Sequence, residues 1–145
     1  MKVFLEKHLP ILLGIVVSIT HYVFCAGFRP PNTSVELLGA VISVSGIAVG
    51  FLAAAQSILL SIEDSKIIQH LRKTDRYESV MDKIDFAMMS SFVMAIVSGL
   101  GLLKDFSNEQ WPHWAVSLWM GLLACTVVSC WSVIRIFKKL LRFPR

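Results

Sequence analysis

Apolar residues in this chain come in long unbroken blocks, and polar residues gather in short clusters between them. Residues 9–28, 37–62 and 114–134 contain no Asp, Glu, Lys or Arg. Each block is long enough to cross a bilayer, which takes roughly 20 apolar residues. A fourth block, residues 86–103, is somewhat shorter and still adequate. The pattern predicts an all-α, polytopic membrane protein with four transmembrane helices in a single transmembrane domain covering residues 1–145. The helices are expected at about residues 9–28, 36–73, 76–103 and 113–137.

Local signals refine the ends. Pro10 falls in the first turn of the expected helix 1, where a missing N–H does little harm. "GFRPPNTS" is a turn in which Thr33 or Ser34 can cap helix 2. Helix 2 meets no breaker until "KTDR" and is expected to run on beyond the membrane. In the charged segment that follows, Ile67, Ile68 and Leu71 make one helical stripe, and Val80, Met81 and Ile84 make another. Between them Asp75 and Glu78 have the spacing of a capping box. Together these predict a cytoplasmic helical hairpin over about residues 63–85, with its tip near Thr74.

The first block also has features of a cleaved secretory signal, with a lysine start and "FCAG" at its end. Glu6, Lys7 and His8 stand directly before it, and it is longer than a usual signal core, so it is expected to stay as a transmembrane helix. At the other end of the chain Phe137, Leu140 and Leu141 suit the inner leaflet while Lys138, Lys139 and Arg142 meet lipid phosphates. Trp111 and Trp114 are placed to anchor at the opposite interface.

Composition agrees with this picture: of 145 residues, 55% are hydrophobic and 17% charged, too apolar for an ordinary soluble domain. Basic residues then orient it. Lys2 and Lys7 precede helix 1. Lys66, Arg72, Lys73, Arg76 and Lys83 lie between helices 2 and 3, and Arg135, Lys138, Lys139, Arg142 and Arg145 follow helix 4. Those groups of two, five and five leave only Arg29 and Lys104 of the 14 basic residues for the other side. Both termini are therefore expected in the cytoplasm, and the net charge of +4 reflects topology more than nucleic-acid binding.

The candidate chemistry is sparse. Cys25, Cys125 and Cys130 form no CxxC, so neither a metal cofactor nor a disulfide framework is expected. The spans hold no carboxylate, lysine or arginine for a proton relay. His21, near the outer end of helix 1, reads as an interface residue. With no HExxH, nucleophile motif or phosphate loop, an enzyme is not expected.

Helix 2 is the most informative element. Gly39, Ser43, Gly46, Gly50, Ala54, Ser57 and Ser61 follow at spacings of four, three, four, four, three and four. One face thus carries only small or hydroxyl side chains. Such a face either lets helices approach closely or, repeated around a ring of subunits, lines a narrow pore. Gln56 lies on a neighbouring face with Ser45 and Val49. A buried amide needs a partner, so Gln56 bridges to another helix or faces a hydrated lumen, the bridge being preferred. At the hairpin tip His70, Arg72, Lys73 and Arg76 gather cationic groups beside Tyr77. They serve either lipid head groups or an anionic ligand such as an oligonucleotide, with Tyr77 stacking on a base.

The stretch "GFLAAAQSILLSIEDSKIIQHLRKTDRYESVMDKI", residues 50–84, resembles a pattern in small four-span bacterial membrane proteins. Size and layout are similar to those of the channel-type effectors of the Hailong anti-phage defence system. The resemblance implies a homo-oligomeric, tetrameric ion channel that depolarises the bacterial inner membrane. It also implies a gate controlled by an oligonucleotide from a partner nucleotidyltransferase. It maps no ligand-binding residues; His70, Arg72, Lys73 and Arg76 are candidates on charge and position alone. The alternative expectation is a non-conducting scaffold or accessory subunit that uses helix 2 as an interaction surface.

Overall fold

The computed structural model describes residues 2–24, 34–61, 76–103 and 112–141, and the remaining residues lie outside the description. The described chain is all-helical: α1 spans Lys2–Phe24, α2 Ser34–Ser61, α3 Arg76–Leu103 and α4 His113–Leu141. Residues 62–75, where the hairpin tip and the far end of helix 2 were expected, lie outside the described residues.

Three of the helices are long and apolar enough to cross a membrane, over Val35–Ser61, Tyr77–Leu103 and His113–Lys138. The apolar part of α1, His8–Phe24, has 17 residues. At 1.5 Å per residue it reaches about 26 Å, slightly less than a hydrocarbon core of about 30 Å. The expected first span continued to residue 28, outside the described residues. α1 also begins earlier than its apolar block. Pro10 is consequently inside the helix, where it withdraws the N–H that would bond the Glu6 carbonyl.

Extensive contacts join α1 to α4, α4 to α3 and α3 to α2. Among the described residues no comparable contact joins α1 to α2, so the helices make an open row, with α1 and α2 at its edges. Neighbours run antiparallel, as the pairing of Gly14 with Gly121 and of His21 with Ser117 shows for α1 and α4. Large apolar side chains point outward along the row; Ile47 is 72% exposed and Phe24 83%. Apolar surface on this scale belongs in lipid or against a partner. The chain is a membrane protein.

Two apolar clusters hold α2, α3 and α4 together. Leu52, Ile84, Ala87 and Val133 form one, with Leu59, Met88 and Phe137 against it. Leu38, Met94 and Trp119 form the other. Among the described residues the buried polar ones are all hydroxyl side chains: Ser45, Ser90, Ser91, Ser98, Ser117, Thr126 and Ser129. Burying a hydroxyl costs little when it donates to its own helix, and Ser91, Thr126 and Ser129 do so, to the carbonyls of Ala87, Leu122 and Cys125. Between α3 and α4 the Trp119 indole N–H donates to Ser98 Oγ at 3.0 Å. Ser91 Oγ lies 3.6 Å from Cys130 Sγ. Without a hydrophobic drive between helices in lipid, such bonds and close contacts carry the association.

The approach between α1 and α4 is close. A Cβ on Gly121 would lie 2.6 Å from the Gly14 carbonyl oxygen and 2.8 Å from Ser18 Cβ. A Cβ on Gly14 would lie 2.8 Å from the Gly121 carbonyl oxygen and 3.0 Å from Cys125 Cβ. Gly14 and Ser18 on one helix, and Gly121 and Cys125 on the other, are each four apart. In this small-xxx-small crossing Cys125 fills space beside Gly14.

Candidate functional site: the outward face of α2

α2 touches the rest of the chain through Leu38, Ser45, Leu52 and Ala55, all buried. The glycine–serine stripe lies on the other side. Ser43, Gly46, Gly50, Ala54, Ser57 and Ser61 are exposed, and a Cβ built on Gly39, Gly46 or Gly50 meets nothing within 4 Å. The close helix approach that such a stripe permits is therefore not used among the described residues. Larger apolar residues border the stripe, among them Val44, Ile47, Phe51 and Ile58, each more than half exposed.

Two of the exposed hydroxyls are already engaged as donors. Ser43 Oγ donates to the Gly39 carbonyl and Ser57 Oγ to the Ala53 carbonyl, both at 3.0 Å. Each spends its one proton inside the helix and turns only lone pairs outward. At these two residues the face can sit against another apolar helix without leaving a donor unpaired. It can also accept from water, or place oxygen dipoles beside a cation.

Gln56 sits at the border between the two faces, half-buried, and its Nε2 donates to Asp85 Oδ1 on α3 at 3.1 Å. Of the two placements open to this amide, the described one is a bridge between helices. Its carboxylate partner was not singled out from the sequence, because Asp85 closes a charged segment and reads there as the edge of the span. Gln56→Leu removes the donor and leaves the exposed Asp85 in place. Loss of one exposed hydrogen bond to a carboxylate is expected to destabilise the chain by about 0.5–1 kcal/mol. Thermal unfolding should show the loss, and Asp85→Asn, which can still accept, should show less of it.

The other candidate cluster cannot be assembled here. His70, Arg72 and Lys73 lie outside the described residues, and Arg76 opens α3 with its side chain outside the description. Tyr77 is half-buried in the first turn of α3.

A polar seam that sequence reasoning passed over joins α1 to α4 at the end nearest Trp114. His21 Nδ1 lies 2.9 Å from Ser117 Oγ. Ser117 Oγ also donates to the His113 carbonyl at 3.0 Å and lies 3.4 Å from His113 Nδ1. The His21 and His113 ring centres are 5.7 Å apart. The spacing of His113 and Ser117, four apart at the start of a helix, was the visible signal, but nothing in the sequence tied it to His21. Among the described residues no group of three or more His, Cys, Asp or Glu side chains is arranged to hold a metal ion.

Comparison with protein-family models, with curated proteins and with solved structures gives no significant match.

Proposed function

We propose that this chain is one subunit of a homo-oligomeric ion channel of the bacterial inner membrane, with α2 nearest the shared axis. The observation that carries the reading is the outward turn of the α2 stripe, small from Gly39 to Ser61 and unfilled by the chain's own side chains. An open row of four helices encloses no path for an ion, whereas a ring of such rows with α2 inward would. In that reading α1 is a fourth span and both termini are cytoplasmic, in keeping with the distribution of basic residues. Four copies are favoured by the resemblance to the defence-system effectors.

The same resemblance suggests the control. A cytoplasmic hairpin would present His70, Arg72, Lys73 and Arg76 to an anionic oligonucleotide made by a partner nucleotidyltransferase. Such a ligand moves α2 only to the extent that it binds open and closed states differently.

Recording from the purified protein in planar bilayers tests both parts. Ser57→Leu is expected to reduce the unit current by narrowing the lumen. The double reversal Arg72→Glu and Lys73→Glu is expected to abolish oligonucleotide binding and leave the unit current unchanged. A second reading, a non-conducting scaffold, is favoured by one specific feature: Ser43 and Ser57 already donate within α2, which suits a dry contact between copies. Membranes that stay leak-free at high protein density would favour the scaffold over the channel.

A further inference from the structure

The small-residue stripe of α2 leads at one end to a charge. Glu36 precedes Gly39 by three residues and Ser43 by seven, the spacing that keeps side chains on one face of a helix. It is exposed in the first turn of α2. α2 contains no Lys, Arg, His or Asp, so Glu36 is its only charged residue. A carboxylate in a first turn also complements the helix dipole, but another position of that turn would serve for this. The register with the stripe is a separate fact.

Hydrogen bonding along the same line favours the same sign of ion. Ser43 and Ser57 give their protons to the Gly39 and Ala53 carbonyls, so both present only lone pairs outward. Nearer the other end of α2, the exposed carboxylate of Asp85 accepts from Gln56 at the border of the face. Oxygen lone pairs between carboxylates attract cations and repel anions, and rings of Asp or Glu serve this purpose in cation channels. One unit charge at about 4 Å in water weights the local concentration of a monovalent ion about fivefold. The basic residues expected on the side of Glu36, Arg29 and Lys104, belong to neither α2 nor its stripe.

We infer that the channel passes monovalent cations in preference to anions, with Glu36 of each copy forming the selecting ring at the outer mouth. This selectivity rests on the channel reading with α2 nearest the axis. Glu36 is then the residue that sets which class of ion is conducted, and the serine hydroxyls below it carry the ion on.

The test is the reversal potential of unit currents from the purified full-length protein in planar bilayers under a tenfold KCl gradient. The wild type is expected to reverse toward the potassium equilibrium potential, at most about 59 mV from zero. Glu36→Gln should lower the potassium-over-chloride preference by about fivefold or more, Glu36→Lys should turn it toward chloride, and Glu36→Asp should keep it. If the glutamine and lysine variants fail to assemble, the wild-type reversal potential still decides the sign. Wild-type currents that reverse at zero or toward chloride would overturn the selectivity and leave the channel standing. A preference that Glu36→Gln shares equally with the wild type would remove Glu36 as its source. Absence of any unit current from the wild type would overturn the channel reading, and this inference with it.

Discussion

Gly121→Ala is expected to lower the stability of the folded chain by about 1–3 kcal/mol, the usual cost of overfilling a close contact. Gly121→Leu should pull α1 away from α4. The reason is the identity of the atoms in the way. A Cβ at residue 121 would meet the Gly14 carbonyl oxygen at 2.6 Å and Ser18 Cβ at 2.8 Å, and neither can swing aside without moving a helix. The reciprocal substitution, Gly14→Ala, meets the Gly121 carbonyl oxygen at 2.8 Å and should behave alike. Tryptophan fluorescence during thermal unfolding in detergent measures the loss. Gly39→Ala is the control: its Cβ meets nothing within 4 Å, and alanine is the better helix former by about 0.8–1.0 kcal/mol. If Gly121→Ala melted with Gly39→Ala at or above the wild type, the close crossing of α1 and α4 would be wrong.

Gly50→Leu should do the opposite. The site is open in the single chain, so the subunit is expected to fold and melt like the wild type. On the scaffold reading, however, a leucine would stand between copies where backbones approach, and the oligomer should give way to monomer, whereas on the channel reading it would narrow the lumen and leave the oligomer intact. Light scattering on the detergent-solubilised protein separates these outcomes. A variant that assembles unchanged would mean that the stripe is not the contact.

These two glycines also show what the sequence could and could not reveal. The four helices were legible because charged clusters bound the apolar blocks, as Asp85 does before Phe86 and Arg135 after Ile134. Which helices are neighbours was not legible. In lipid, a face turned to acyl chains and a face turned to another helix are equally apolar, so hydropathy does not distinguish them. α2 makes the point. Its inward residues, Leu38, Ser45, Leu52 and Ala55, are no more apolar than its exposed Val44, Ile47 and Phe51. The long stripe on α2 drew notice because it recurs over six intervals, yet the chain's own tight crossing uses the shorter pairs Gly14 with Ser18 and Gly121 with Cys125. The need of Gln56 for a partner was readable from the cost of a bare amide in hydrocarbon. The identity of that partner, Asp85, depended on the register of α2 against α3, which no local pattern sets. The seam of His21, Ser117 and His113 was hidden for the same reason, since its residues come from opposite ends of the chain.

The reading of α2 as the axis of an assembly is tested most directly by disulfide cross-linking in native membranes. Gly46→Cys and Ser57→Cys would be placed on the stripe, and Val44→Cys beside it, in a chain whose Cys25, Cys125 and Cys130 are replaced by alanine. If copies meet along the stripe, the Gly46 and Ser57 variants cross-link to dimers and higher species under mild oxidation, and the Val44 variant lags behind. Labelling of the Gly46 and Ser57 variants by a lipid-soluble maleimide, without cross-linked species, would place the stripe against acyl chains and contradict the account.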